Sequence, residues 1–328
     1  MAFPDQEQPR TLLVGDVGGT HARFAIIEGD TLPPWQLQRR LDFDTSFADL
    51  SQAVRTYLER AGLDPLPDAV AVAVAGPVRA GRVRFTNRDW QASEEELLSL
   101  GFRRGLLLND FAALAFAAEA LSSGGTRAIG PELEGAPGEP ISIVGAGTGF
   151  GVSCLIRSPR GSIAIATEAG HIGFSPETER EIAVLRALHE RFGRVSLERI
   201  LSGPGLENLY EALLQLDGQR SEQLVAAEIS AHALKGVPAC REALSLFCAI
   251  FGAAAGDVAL AHGARGGVFI AGGIAAKIED FLRSSDFRAR FESKGRLSAF
   301  TQAIPTRLIV DTHATLIGAA RAALQPTS

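Results

Sequence analysis

The 328-residue sequence predicts an α/β protein in which one strand-and-loop arrangement occurs twice. Two glycine-rich loops carry this prediction, Gly15-Asp16-Val17-Gly18-Gly19-Thr20 and Gly145-Ala146-Gly147-Thr148-Gly149-Phe150-Gly151. Each loop follows a short aliphatic or β-branched run, at 11–14 and at 141–144, which is typical of a buried strand that ends in a tight turn. Strand and helix signals alternate around both loops, so we expect two similarly built halves.

The elements around the first loop follow from local patterns. Residues 69–75 form a continuous Ala/Val run, which suits a parallel strand buried on both faces, and residues 46–61 repeat apolar positions at helical spacing. The predicted elements are, in order, strands at 11–14, 22–28 and 37–42, a helix at 46–61, strands at 69–75 and 105–108, and a helix at 111–121.

The second half of the chain repeats this organisation. Its predicted elements are strands at 141–144, 152–156 and 162–166, helices from residue 177 onward, a strand at 267–271 and a final helix at 314–324. The longest apolar stretch, 244–264, is interrupted by Asp257 and His262 and is rich in Ala and Gly. It therefore predicts a tightly packed internal helix and not a membrane span.

Composition and charge narrow the class of protein. The chain is 46% hydrophobic and 21% charged, as is typical of a soluble globular protein. Its net charge of −6 and its lack of Lys or Arg runs argue against nucleic-acid binding, which needs a positive face. The three widely spaced cysteines predict reduced core thiols, with neither a disulfide nor a zinc site. Because the first ten residues also lack a signal-peptide pattern, we expect a cytoplasmic protein without a membrane partner.

The paired glycine loops predict a nucleotide ligand. Glycines let the backbone approach a phosphate chain and turn N–H groups towards its oxygens, and a threonine hydroxyl adds a neutral donor. A single loop of this kind is more often only a turn, so the prediction depends on the pair. The sequence has no Gly-x4-Gly-Lys-Ser/Thr motif and no Gly-x-Gly-x-x-Gly that opens a helix beside an N-terminal strand. These absences exclude P-loop proteins and dinucleotide folds.

A larger set of motifs points to one family. The motifs are Asp16-Val17-Gly18-Gly19-Thr20, Leu108-Asn109-Asp110-Phe111, Gly145-Ala146-Gly147-Thr148-Gly149-Phe150-Gly151, Glu168-Ala169-Gly170-His171, Glu198-Arg199-Ile200-Leu201-Ser202-Gly203-Pro204-Gly205 and Ala271-Gly272-Gly273-Ile274. With this set in this order, the sequence resembles the bacterial ATP-dependent glucokinases of the actin-like sugar-kinase superfamily. The resemblance runs from about residue 11 to about residue 324.

The resemblance implies a fold and a reaction. The fold would be two actin-like (ribonuclease H-like) α/β domains with mixed five-stranded sheets around a central cleft. The small domain would take residues 1–109 and 312–328, since the last helix crosses back to it, and the large domain residues 110–311. The implied reaction is phosphorylation of D-glucose at the 6-hydroxyl to glucose 6-phosphate, with ATP and Mg²⁺. A homodimer is the expected assembly.

Asp110 is the candidate catalytic base. Transfer of a γ-phosphoryl group to a sugar hydroxyl requires removal of one proton, and a carboxylate at the end of a short apolar strand can perform this step. Asn109 beside it can donate to and accept from sugar hydroxyls. The local sequence fits equally well with an Asn109-Asp110 cap on the helix that follows. The two roles are compatible.

The resemblance assigns the nucleotide side to the glycine loops. Asp16 would hold Mg²⁺ through a bridging water, because Mg²⁺ prefers oxygen ligands and keeps most of its waters. Alternatively, Asp16 only stabilises its own turn. The residues expected to contact ATP are Asp16, Gly18, Gly19, Thr20, Gly147, Thr148, Gly272 and Gly273. A Gly-Gly step before a helix, as at 272–273, is also common in plain packing.

The resemblance assigns glucose recognition to Asn87, Asn109, Asp110, Glu168, His171 and Glu198. Carboxylates and imidazoles can each make two directional hydrogen bonds, and the wrong epimer would leave them unpaired. Taken singly, Glu198 could be a solvated helix residue and His171 a satisfied core or turn residue. Asn87 lies in Thr86-Asn87-Arg88-Asp89-Trp90, which resembles the family's sugar-side loop.

The sequence departs from the family's pattern at two points, and three alternatives to a glucose kinase are considered. His21 stands where the family loop commonly has Asn, and the chain lacks the Cys-x-Cys-Gly-x-x-Gly-Cys zinc signature of related repressors and kinases. The alternatives are a kinase for another hexose, a non-catalytic sugar-responsive regulator and a phosphatase-like enzyme. Regulators of this fold carry an N-terminal helix-turn-helix, whereas ten residues precede the first predicted strand. A phosphatase would not need the sugar-binding set. The kinase is favoured.

Overall fold

The computed structural model describes residues 9–18, 21–28, 35–44, 47–85, 90–158, 160–220 and 223–325. Gly19, Thr20 and Asn87, which the sequence analysis assigns to ligand binding, lie outside these residues. The chain divides into two compact units. The first unit comprises Met1–Thr126, Leu155–Ala166 and Asp311–Ser328, and the second comprises Arg127–Cys154 and Thr167–Val310.

Strands and helices alternate along the described chain. The strands are β1 (Thr11–Val17), β2 (His21–Glu28), β3 (Gln38–Asp44), β4 (Ala69–Val74), β5 (Val78–Arg79), β6 (Arg82–Arg84), β7 (Gln91–Ser93), β8 (Arg104–Asn109), β9 (Thr126–Ala128), β10 (Ile141–Ala146), β11 (Phe150–Ile156), β12 (Ile163–Thr167), β13 (Gly267–Ala271) and β14 (Thr306–Ile309). The helices are α1 (Leu50–Ala61), α2 (Glu94–Ser99), α3 (Asp110–Ala117), α4 (Glu179–Phe192), α5 (Gly203–Leu216), α6 (Ala226–Leu234), α7 (Pro238–His262), α8 (Gly273–Lys277), α9 (Glu279–Ser284), α10 (Phe287–Glu292), α11 (Ser298–Gln302) and α12 (Ala314–Ala323). Short 3₁₀ turns occur at Ser123–Gly125, Ala169–His171, Leu197–Arg199 and Gly295–Leu297.

The main sheet of the first unit is mixed, with the strand order β3-β2-β1-β4-β8 in the described residues. β1 pairs with β2 in antiparallel and with β4 in parallel orientation, and β4 is parallel to β8. The sequence analysis ends the first strand at residue 14 and places a turn after it, but the strand continues into the glycine motif. Gly15, Asp16 and Val17 still belong to β1, because they pair with β2 on one side and with β4 on the other.

The first unit has an apolar core on each face of this sheet. All six residues of β4 are buried, which explains its continuous Ala/Val sequence. Its three valines lie in one core with Phe24 and Tyr57, and its alanines lie in the other core with Leu316 and Ile317 of α12. The small alanine side chains therefore face the side on which the C-terminal helix packs.

The C-terminal helix α12 packs against α3 and against the sheet of the first unit. The two helices approach closely, since a Cβ at Gly318 would overlap the carbonyl oxygen of Ala113. This packing places residues 110–126 with the first unit, whereas the resemblance implied a boundary between residues 109 and 110. The segment Leu155–Ala166 also belongs to the first unit, although the resemblance implied that it lies in the large domain.

A second sheet has the strand order β12-β11-β10-β13-β14-β9 in the described residues. The resemblance implied five strands, and the short strand β9 adds a sixth beside β14. β10, β13 and β14 are parallel to one another. Because β10 and β13 pair with Gly145 opposite Ala271, their carboxyl ends, and the glycine motifs that follow them, lie side by side.

Helix α7 is the centre of the second unit's core. By length and composition it could cross a membrane, but 78% of its most apolar window is buried inside the protein. Leu244, Phe247 and Phe251 are at most 1% exposed there. The prediction of an internal helix is therefore confirmed. The three cysteines, two of which lie on α7, are buried and form no disulfide, and burial raises the pKa of Cys248 to about 12.

Candidate active site

Asp16 and the Asn109-Asp110 step lie at one edge of the first unit's sheet. In parallel pairing, Asp16 of β1 is opposite Ala73, and Asn109 of β8 is opposite Val74. The strand β4 between them is thus flanked by polar side chains at its carboxyl end. Ligand sites in α/β sheets commonly lie at this end of the strands.

Asn109 caps helix α3. Its Oδ1 accepts hydrogen bonds from the N–H groups of Phe111 (3.0 Å) and Ala112 (3.3 Å), and its Nδ2 donates to the carbonyl oxygen of Gly76 (3.1 Å). The interpretation of Asn109 as a helix cap is therefore confirmed. Since Oδ1 already accepts two bonds, a ligand could meet Asn109 only at Nδ2, whose second N–H also bonds to the carboxyl of Asp110.

Asp110 is the first residue of α3, and its environment opposes ionisation. Burial, with a smaller contribution from the charge of Asp16, raises the pKa of Asp110 from its ordinary value of 3.8 to about 6, although hydrogen bonds from Phe111 and Asn109 lower it. Its Oδ1 accepts from the backbone N–H of Phe111 at 3.0 Å. A carboxyl with this pKa is largely ionised at neutral pH and can still take up a proton, which suits a general base.

Asp16 carries the second carboxylate of this edge. Burial raises its pKa above the ordinary value, and the charge of Arg23 on the neighbouring strand partly offsets this effect. Two interacting carboxylates that are both poorly solvated favour a nearby cation. Among the described residues, no group of three or more His, Cys, Asp or Glu side chains could hold a metal ion. A Mg²⁺ ion nevertheless fits here, because it commonly binds one or two carboxylates together with water and substrate phosphates.

The N-terminal glycine motif is described in part. The N–H of Gly18 donates to the carbonyl oxygen of His21 at 2.9 Å, which closes the turn between β1 and β2. His21 itself is exposed at the start of β2.

In the second unit, three glycine-containing segments meet beyond the ends of β10 and β13. Gly147 donates to the carbonyl of Gly149 and accepts from the N–H of Gly203, both at 2.8 Å. Gly272 lies so close to β10 that a Cβ there would overlap the carbonyl of Ala146. An added Cβ at Gly147 or Gly273 would meet no atom within 4 Å. This group of turns therefore has an open side that a phosphate chain can approach, and Thr148 is exposed there.

The candidate sugar-binding residues of the second unit are Glu168, His171 and Glu198. Glu198 Oε2 accepts from the N–H of Phe150 at 3.0 Å, and Gly170 packs against the carbonyl of the same residue. Glu168 immediately precedes the 3₁₀ turn that ends at His171, with His171 Nε2 3.9 Å from Glu168 Oε2, and both side chains are more than half exposed. Glu198 and this turn therefore both contact Phe150, the turn through Gly170.

Sequence reasoning missed several residues that organise this region. Gly149 and Phe150 contact Glu198, and Ser202, which is 2% exposed, donates from Oγ to the carbonyl of Glu198 at 2.7 Å. Gly203 bonds to the loop at Gly147. All four stand inside the recognised motifs, but a motif does not indicate which of its members contact distant residues. The pattern Ser-Gly-Pro-Gly is itself a helix-start signal.

Comparison with known proteins identifies the family. The model of the glucokinase family matches residues 13–326. The chain belongs to the glucokinase family. A glucokinase from Caulobacter sp. strain K31 is 47% identical to it over 309 residues, which cover 94% of this chain and 93% of that protein.

Solved structures support the same assignment. The crystal structure of a glucokinase from an Antarctic psychrotroph has a TM-score of 0.88 and 36% identity, and the match covers 95% of this chain and 98% of that one. A ROK family glucokinase from Streptomyces griseus, solved with glucose and AMPPNP, has a TM-score of 0.64 at 19% identity and covers 96% of this chain and 100% of that one. The actin-like α/β fold class predicted from the sequence is thereby confirmed.

Proposed function

We propose that this glucokinase-family enzyme transfers the γ-phosphoryl group of ATP to the 6-hydroxyl of D-glucose, with Asp110 as the general base. One observation supports the role of Asp110: its carboxyl follows the end of β8, has a pKa raised to about 6, and lies near a second carboxylate, that of Asp16. Perturbed carboxyls of this kind are enriched at catalytic sites.

The reaction needs a base, a positioned sugar and a shielded phosphate chain. The 6-hydroxyl gives its proton to the carboxylate of Asp110 while its oxygen bonds to the γ-phosphorus, and the bond between that phosphorus and ADP breaks. The hydroxyls of glucose are oriented by Asn109, Glu168, His171 and Glu198. Asn87 is assigned to the same task by the sequence resemblance alone.

The nucleotide is assigned to the glycine motifs. Thr148 offers neutral donors to the phosphates, and Gly147 beside it lets them approach because it has no side chain in the way. The sequence assigns Gly18, Gly19 and Thr20 to the same phosphates, and Gly272 and Gly273 to the adenosine. Asp16 would hold Mg²⁺ through water, and the bound ion would supply positive charge to offset that of the phosphates. The cytoplasmic location and the homodimer remain predictions.

Substitution of Asp110 tests the proposal. Asp110→Ala and Asp110→Asn should lower kcat by about 10²- to 10⁴-fold, the usual contribution of a positioned base, while the affinity for AMP-PNP in calorimetry stays near that of the wild type. Asp257→Asn is the control, since Asp257 is half-exposed on α7 and its carboxylate pairs with Lys294. A kcat within a few-fold of the wild type for Asp110→Ala would refute the assignment.

The choice of substrate is tested separately. A coupled assay with glucose, its epimers and other phosphoryl donors should give the highest kcat/KM for glucose and ATP. Turnover with a different hexose would favour the alternative kinase, and glucose binding without turnover would favour the sugar-responsive regulator.

A further inference from the structure

We propose that Glu198 holds the phosphate-binding loop in shape in addition to binding the sugar, so that the affinities for glucose and nucleotide are coupled through this one carboxylate. The inference rests on the proposed function, in which Glu198 contacts glucose and the turn Gly147–Gly149 contacts phosphate. All residues that carry it lie in the second unit.

The carboxylate of Glu198 is bonded to the end of the loop. Its Oε2 accepts from the N–H of Phe150, the residue that follows Gly149, at 3.0 Å. A hydrogen bond to an ionised acceptor is about twice as strong as a neutral one. Oε1 has no hydrogen-bond partner among the described residues, which leaves it for a sugar hydroxyl. One oxygen is therefore assigned to the loop and the other to the ligand.

Gly149 makes this contact possible. A Cβ at position 149 would lie 2.5 Å from Oε2 of Glu198 and 3.3 Å from its Cδ. Any other residue would push the carboxylate away from the loop. At Gly173, which lies in the same unit and has no assigned ligand, an added Cβ would meet no atom within 4 Å, so Gly149 and Gly173 form a matched pair for testing.

Residues 198–203, the segment that begins with Glu198, also contact the start of the loop at Gly147. Gly203 donates to the carbonyl of Gly147 at 2.8 Å. Ser202 Oγ donates to the carbonyl of Glu198 and accepts from the N–H of Gly205, so it joins the Glu198 turn to the first turn of α5. The segment 198–203 thus contacts both ends of the loop.

Coupling follows from this geometry. A sugar hydroxyl bound to Oε1 would restrict the carboxylate, which in turn restricts the backbone of the loop before the nucleotide arrives. The entropy lost on ordering the loop would then no longer oppose nucleotide binding. By linkage, bound nucleotide must strengthen glucose binding by the same factor.

The glycine pair tests the sugar side, with glucose titrated alone in a calorimeter. Gly149→Ala should weaken glucose binding by about tenfold, as expected for loss of a charged hydrogen bond. Gly173→Ala should leave glucose affinity within about twofold, because the added methyl meets nothing in the chain. Far-UV circular dichroism at the assay temperature checks that both variants are folded. Unchanged glucose affinity in Gly149→Ala, or an equal loss in both, would overturn the proposal.

Substitutions of Glu198 test the nucleotide side, with AMP-PNP titrated in the absence of glucose. Glu198→Gln keeps an oxygen that can accept from Phe150 and should hold AMP-PNP affinity within about threefold, whereas Glu198→Ala should lose about tenfold. Equal AMP-PNP affinity in the wild type and both variants would show that the carboxylate does not support the loop. If the wild type binds AMP-PNP but no glucose, the proposed function fails, and this titration still decides whether Glu198 positions the loop.

Discussion

Asp110 illustrates how neighbouring side chains set the chemistry of one carboxyl. The N-terminus of α3 and the N–H of Phe111 favour its ionised form, but burial and the charge of Asp16 outweigh them and raise its pKa to about 6. The folded protein therefore keeps a carboxylate that is less stable than it would be in water. A base with this pKa accepts a proton more readily than an ordinary aspartate does.

This arrangement predicts a cost in stability above the pKa. Because the pKa of Asp110 is higher in the folded state, its contribution to stability is present below its ordinary value of 3.8 and is lost as the pH rises through about 6. Asp110→Asn should therefore be more stable than the wild type at pH 7.5, by on the order of 1–3 kcal/mol. The difference should shrink towards pH 4. Urea unfolding at both pH values measures it.

Asp217→Asn provides a control of opposite sign. A hydrogen bond from Arg180 lowers the pKa of Asp217, so this carboxylate stabilises the fold above its unfolded pKa and its loss should destabilise the protein at pH 7.5. If Asp110→Asn is also less stable than the wild type at that pH, the raised pKa of Asp110 is wrong.

At the scale of elements, the packing of α12 on α3 links stability to catalysis. Helix α3 begins at the candidate base Asp110, and α12 packs against α3. Gly318 sets the distance between the two helices, since no side-chain atom separates its backbone from the carbonyl of Ala113.

Gly318→Ala should force the two helices apart. The added methyl would overlap the carbonyl of Ala113 and lie 3.1 Å from the N of Ala117, and overpacking of this kind costs about 1–3 kcal/mol. Because α3 carries Asp110, kcat should fall along with the melting temperature. Ala322→Gly on the same helix costs about 1 kcal/mol in helix propensity and should leave kcat nearly unchanged at temperatures where both variants are folded. A normal kcat in Gly318→Ala would show that the packing of α12 on α3 does not affect catalysis.

Elements set by local sequence could be predicted, whereas features set by contacts between distant residues could not. Strands β10 and β13 were predicted from apolar runs, because a strand buried on both faces shows in its local composition. The end of β1 was predicted wrongly, since pairing with β2 and β4 carries the strand into the glycine motif. The bond between Glu198 and Phe150 joins residues 48 positions apart, and neither residue's neighbours in sequence indicate the contact.

At the scale of the whole molecule, the chain builds two units with separate apolar cores. The first unit takes three segments of the chain, so its cores depend on residues from both termini. The second unit has one large core around α7. Domains with their own cores commonly unfold in separate steps, unlike single small domains.

The two tryptophans allow this to be tested with optical probes. Trp35 and Trp90 both belong to the first unit, and each is 8% exposed, so their fluorescence reports its unfolding alone. Far-UV circular dichroism reports both units, with a strong contribution from the helices of the second.

Two leucine-to-alanine variants form a matched pair, one in a core of each unit. Leu316 is 1% exposed and Leu244 is 0% exposed, and truncation of a buried leucine costs about 2–5 kcal/mol. Leu316→Ala should lower the midpoint of the fluorescence transition by several degrees, whereas Leu244→Ala should lower mainly the midpoint seen by circular dichroism. Because each core would then melt independently, the order of the two transitions should differ between the variants. Equal shifts of both probes in both variants would mean that the chain unfolds as one cooperative block.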